Sequence, residues 1–145
     1  MRRFNELSYN ENTKSWYEGE QIFKIKDGRG IEILGNGARY DGFWRNGLYH
    51  GYGRLVNRKG DVYIGNWAQG KQSGKGSMKW QNGSRYDGEF ENGQMNGEGK
   101  FYWPDGKFYD GEWVNGQMHG RGSLSHSDGR RYEGDFRTNV KHGQG

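Results

Sequence analysis

The sequence contains no cysteine and only one proline in 145 residues. Without thiols there is neither a disulfide framework nor a thiolate metal site, so a reducing compartment is the plain expectation. The apolar runs are only a few residues long. That excludes a membrane-spanning helix and the hydrophobic region of a secretory signal, and the expected location is cytoplasmic. Hydrophobic residues are scarce, at 30%, a composition that usually indicates disorder. Two features oppose disorder here. The net charge is only +4, and aromatic residues reach 16%, so the chain has large rings to bury. Its 28 glycines disfavour helices and favour strands with tight turns.

The glycines are not scattered. YDGEFENGQMNGEG begins at Tyr86 and YDGEWVNGQMHGRG at Tyr109, and the same step of 23 residues connects Tyr17, Tyr40, Tyr63, Tyr86, Tyr109 and Tyr132. With each tyrosine as offset zero, every glycine except Gly35 falls at offset two, seven, eleven, thirteen or twenty. Segments such as GKG and GYG are therefore parts of a repeat and not a phosphate-binding loop. No complete Walker or dinucleotide pattern is present.

Within a unit, Tyr40, Gly42 and Trp44 alternate with Asp41 and Phe43, and Gly51, Gly53 and Leu55 alternate with Tyr52 and Arg54. This period of two marks strands, and the turn-rich RNGLYH and NRKGD separate them. Each unit is predicted to be a β-hairpin and the chain a meander of about eleven strands, with no long helix. One register, with offset four facing eleven, two facing thirteen and zero facing fifteen, would serve every strand. It places the tyrosines, the glycines and the row Trp44, Trp67, Phe90, Trp113, Phe136 on one face, with glycine slots between the rings. The other face is predicted to be polar, pairing Asp41 with Arg54, Asp87 with Lys100 and Glu112 with Arg121. Phe43 and Tyr52 interrupt it as an exposed aromatic pair. Phe4, Leu7 and Tyr9 can cover that pair by folding back as an N-terminal cap, and a partner protein can do the same.

The titratable residues do not converge on a catalytic or metal site. His50, His119 and His142 share offset ten, but ligands of one zinc lie about 2 Å from it, whereas successive repeats are roughly 10 Å apart. Asp87 and Glu89 are neighbours on a strand with no nucleophile, base and orienting group around them. No catalytic residue, metal site or cofactor is expected. Acidic and basic residues interleave, which argues against nucleic-acid binding.

The stretch YDGEWVNGQMHGRG followed by LSHSDG resembles the MORN repeat, whose consensus is Tyr-x-Gly-x-Trp-x-x-Gly-x-x-His-Gly-x-Gly with a later glycine. By this resemblance, residues 1–15 are an N-terminal cap or tail and 16–145 a MORN-repeat array. The first repeat is degenerate, with Gln21 at the ring position and Lys24 at a glycine position. The last has Asn139 for glycine and stops at Gly145 before its second strand is complete, which predicts an open edge prone to strand addition or self-association. The family implies an all-β, elongated, twisted single-layer antiparallel sheet and a non-enzymatic scaffold or adaptor in cytoskeletal or ciliary assemblies. The candidate partner groove comprises Tyr40, Trp44, Tyr63, Trp67, Tyr86, Phe90, Tyr109, Trp113, Tyr132 and Phe136, with Phe43 and Tyr52 as a secondary patch. Its expected occupant is a protein helix or extended peptide. The alternative is peripheral binding of anionic lipid through basic turns such as NRKGD and GKQSGKG.

Overall fold

The computed structural model describes residues 4–142, all in strands and turns. The strands form one antiparallel sheet in which spatial order follows chain order. Contacts group the chain into two compact units, one up to Lys71 and one from Gln72. The first contains β1 (Phe4–Asn10), β2 (Ser15–Ile22), β3 (Ile25–Ile33), β4 (Arg39–Arg45), β5 (Leu48–Val56) and β6 (Val62–Ala68). The second is built from β7 (Lys71–Lys79), β8 (Arg85–Glu91), β9 (Gln94–Tyr102), β10 (Phe108–Val114), β11 (Gln117–Ser125), β12 (Arg131–Arg137) and β13 (Val140–His142).

Two kinds of turn join the strands from β2 onward. Asn46 and Gly47 have φ of 52° and 81°, both left-handed, and Asn92–Gly93 and Asn115–Gly116 repeat the pattern. This is the two-residue turn whose twist suits a hairpin, and Asn-Gly is its preferred sequence. The other connection is longer. Asn57 N donates to Asp61 O and Gly60 N to Asn57 O, while the Asn57 side chain accepts from the amides of Lys59 and Asp61. An Asx side chain thus replaces the missing backbone partners.

The register agrees with expectation at Tyr40↔Leu55 and Gly42↔Gly53, and across the next turn at Leu55↔Tyr63 and Gly51↔Trp67. It departs inside the hairpin. A β-bulge between Gly42 and Trp44 sets Trp44 opposite Tyr49 instead of Gly51. The same shift recurs at Phe90↔Met95 and Trp113↔Met118. Gly51 occupies the bulge with φ of 78°, a conformation that ordinary side chains resist. RNGLYH is accordingly not all turn: Leu48, Tyr49 and His50 belong to β5, and the bulge brings offset nine onto the aromatic face.

The thirteen strands among the described residues exceed the eleven expected by β1 and β13. The segment read as a cap or tail pairs along β2 from Phe4↔Gln21 to Asn10↔Ser15. It does not fold back over Phe43 and Tyr52, which stay 45% and 58% exposed. Leu7 and Tyr9 are themselves exposed, and the Tyr9 ring rests 4.6 Å from Trp16. The Phe4 side chain lies outside the described residues.

Candidate functional site

Within each unit the ring residues of the expected groove lie on one face, and the packing around each tyrosine is the same. Tyr40, Tyr63, Tyr86 and Tyr109 have 1% or less of their surface exposed. Each phenol donates to the carbonyl three residues on: Tyr40 to Phe43, Tyr63 to Asn66, Tyr86 to Glu89, Tyr109 to Glu112 and Tyr132 to Asp135. The ring crosses a glycine pair on the way. A β-carbon on Gly53 would lie 2.1 Å from the Tyr40 phenol oxygen, and one on Gly99 2.1 Å from that of Tyr86. The glycine slots at offset thirteen are therefore filled by the chain's own tyrosines.

The second ring row locks onto the first. Trp44 Nε1 donates to Gly30 O at 3.1 Å, Trp67 Nε1 to Gly53 O at 3.1 Å and Trp113 Nε1 to Gly99 O at 3.0 Å. Edge-to-face contacts continue along the row. Tyr40 meets Trp44 at 5.1 Å and Trp67 at 5.6 Å in the first unit; Tyr109 meets Trp113 at 5.2 Å and Phe136 at 4.9 Å in the second. Each such pair contributes about 0.5–1.5 kcal/mol beyond burial. Desolvation pushes the Tyr109 phenol up to about 12, and it raises Tyr40, Tyr63 and Tyr86 above the ordinary phenol range as well. Nine of the ten rings are buried and Tyr132 is half-buried. Together they form the floor of the aromatic face.

Other residues provide its accessible surface, and sequence reasoning missed most of them. In the second unit Met78, Trp80, Met95, Phe101 and Trp103 are half-buried. Phe101 lies 5.4 Å from Trp80, 4.7 Å from Trp103 and 5.9 Å from Trp113. Trp80 and Trp103 share offset seventeen, where the first complete repeat has Asn57, so a search for recurring residues passes over them. In the first unit Tyr49 stacks on Tyr40 at 3.8 Å. Its place on this face depends on the bulge.

The first repeat fills the same positions with polar groups. Gln21, at a ring position, is 5% exposed, and its Nε2 finds no hydrogen-bond partner among the described residues. Lys26 Nζ pairs with the buried Glu32 carboxylate, which also accepts from Tyr49 Oη at 3.2 Å. The ammonium lies 4.9 Å from the Trp44 ring, within cation–π range.

On the opposite face two of the three expected cross-strand pairs are in register, but their charges bond elsewhere; the bulge between Gly111 and Trp113 takes Glu112 out of register with Arg121. Asp41 faces Arg54 and Asp87 faces Lys100, yet Asp41 pairs with Arg29 and Asp87 with Arg85. Glu112 accepts from the backbone N–H of Arg121. Phe43 and Tyr52 are exposed on this face, with the Arg29 guanidinium 5.7 Å from the Phe43 ring. His50 and His119 lie in β5 and β11; the His142 side chain is outside the described residues.

Comparison with known proteins agrees with this geometry. The family model described as "MORN repeat" matches residues 40–62, 63–85, 86–108, 109–130 and 132–145. It begins at Tyr40, so the hairpin from Tyr17 falls outside it, although Gly19↔Gly30 and the following bulge show that hairpin to be built alike. Among solved structures, a catalytically inactive virginiamycin B lyase from Staphylococcus aureus, crystallised with quinupristin, aligns at 14% identity. The match covers 93% of this chain and 45% of that one, with a TM-score of 0.21. The chain thus spans less than half the length of the lyase, and the superposition is too loose to transfer any property.

Proposed function

Since the chain belongs to the MORN-repeat family, we propose that it is a non-catalytic adaptor that receives a partner protein segment along its aromatic face, within a cytoskeletal or ciliary assembly. One observation carries the proposal. Above a floor of rings fixed by hydrogen bonds to the backbone, Met78, Trp80, Met95, Phe101 and Trp103 remain half-buried and available. A rigid floor loses little conformational freedom when a partner settles on it. Aromatic and methionine side chains are also those enriched at binding surfaces. Tyr86, Phe90, Tyr109 and Trp113 support this surface, while Met95 and Phe101 touch the partner.

The test takes the partner recovered by affinity purification and measures its binding to Met95→Ser and Phe101→Ser, after their melting curves confirm folding. Each is expected to weaken binding by at least about tenfold, as a buried anchor does. Lys100→Gln and Asp110→Asn, on the opposite face, should bind as wild type. Attachment to phosphatidylserine vesicles that disappears at a few hundred millimolar salt, with no protein partner recovered, would instead support the lipid reading.

A further inference from the structure

The opposite face of the first unit is unlike that of the second. Among the described residues, four ion pairs lie on it in the second unit, Arg85 with Asp87, Lys100 with Asp110, Arg121 with Asp135 and Arg131 with Glu133, against one, Arg29 with Asp41, in the first. In the first unit two rows run across β1–β6. One is Tyr9, Trp16, Ile33, Arg39, Val56 and Val62; the other is Leu7, Glu18, Ile31, Asp41, Arg54 and Ile64. Leu7, Tyr9, Trp16, Ile33 and Ile64 are exposed, as are Phe43 and Tyr52 beside these rows. Glu18, Arg39 and Arg54 make no ion pair among the described residues. Their arrangement is polar in sense, with Glu18 near one end and Arg54 near the other.

From this we infer that the face is an interface for a second copy of this chain, stacked face to face about a two-fold axis parallel to the strands between β3 and β4. Such an axis reverses strand order and keeps each row on itself. Leu7 then meets Ile64 of the copy, Glu18 meets Arg54, Tyr9 meets Val62 and Trp16 meets Val56. Ile33 meets the alkyl stem of Arg39, which covers apolar surface while its guanidinium stays at the rim. Isologous contact requires the patch to complement itself at mirrored positions; of the six pairings in the two rows only Ile31 against Asp41 is mismatched, and that carboxylate is already held by Arg29. Six strands at about 4.8 Å spacing span roughly 29 Å, and the two rows together with the adjoining third row that holds Arg29, Phe43 and Tyr52 span about 20 Å along the strands. The contact is therefore about 600 Å² per copy and about 1,200 Å² in total, which is sufficient for a reversible but not a permanent dimer. Two twisted sheets pack in this way about 10 Å apart.

Sedimentation equilibrium of the full chain up to about 500 µM tests the inference, with a dissociation constant expected in the micromolar range. Glu18→Arg and Arg54→Glu should each weaken the dimer by at least about tenfold, because like charges then meet at two symmetric places. The double variant should recover wild-type association, since it exchanges the two charges. Lys100→Glu, on the second unit, should have no effect. A wild-type chain that stays monomeric, a dimer indifferent to either single reversal, or single losses without rescue in the double variant would each overturn the proposal. The monomeric single variants should still bind the partner of the aromatic face, so failure of one site is distinguishable from failure of the other.

Discussion

The Tyr40 ring lies across Gly53 so closely that a β-carbon there would sit 2.1 Å from the phenol oxygen and 2.4 Å from the ring. The phenol cannot yield without breaking its bond to the Phe43 carbonyl. Gly53→Ala is therefore expected to cost about 3 kcal/mol or more, at the upper end for overpacking. Gly37→Ala is the comparison. Gly37 has a φ of 96° and nothing within 4 Å of an added β-carbon, so it should cost only the roughly 1–2 kcal/mol of left-handed backbone strain. Urea unfolding of both variants checks the difference.

Alkaline pH should unfold the protein before its phenols ionise in the folded state. The folded chain holds Tyr109 protonated up to about 12, and Tyr40, Tyr63 and Tyr86 are raised by the same desolvation. A phenol freed by unfolding ionises near pH 10. The stability these tyrosines contribute is fully present below pH ~10 and is lost as pH rises from there through about 12. Tyrosinate absorbance and the β signal in circular dichroism should change together in that window. With the exposed Tyr9 and Tyr52 replaced by phenylalanine for this titration, ionisation of most of the remaining phenols near pH ~10 with the sheet intact would contradict the buried hydrogen-bonded rings.

The Lys26–Glu32 pair occupies positions that carry Tyr49 and Leu55 in the next repeat. Glu32→Leu alone should destabilise, by about 1–3 kcal/mol, because it leaves the ammonium against the rings without its carboxylate. Lys26 keeps 29% of its side chain exposed, which places the effect toward the lower end through solvent screening. Lys26→Met combined with Glu32→Leu should be neutral or stabilising. Thermal melts of the single and double variants decide this.

Phe23 and Lys24 make the first hairpin turn at φ of 51° and 63°, where Asn-Gly stands in three of the later repeats. Each pays left-handed strain of about 1 kcal/mol that Asn or Gly avoids. Phe23→Asn with Lys24→Gly is therefore expected to raise the melting temperature by several degrees. No rise would mean that the first hairpin is not part of the unit whose unfolding is observed.

The repeat, the strand alternation and the glycine pairing were legible because a step of 23 residues preserves them: Tyr40, Gly42 and Gly53 recur at fixed offsets, and parity assigns them one face. The bulge was not legible from alternation. Gly51 shares parity with Gly53, so nothing in the period of two distinguishes a lattice position from a bulge. A signal was available in Asn46–Gly47. A two-residue turn there sets Arg45 against Leu48 and hence Trp44 against Tyr49, whereas Gly42↔Gly53 counted from the strand centre requires a different register; only a bulge satisfies both. The same oversight placed an open slot at Gly51 opposite Trp44, where the bulge sets Tyr49. Trp80 and Trp103 were missed because they do not recur in every repeat. The apolar outer face of the first unit was seen only as Phe43 and Tyr52, because Trp16, Ile33 and Tyr9 become one row only when β1 joins the sheet.

The measurement that tests the adaptor claim most directly is photo-crosslinking from single positions in the assembled complex, with a benzophenone amino acid placed at Phe101, at Trp103 and, on the other face, at Asp110. The account predicts adducts to the same partner segment from Phe101 and Trp103 and none from Asp110. Adducts from Asp110 with none from the two aromatic-face positions would contradict it and move the binding site to the charged face.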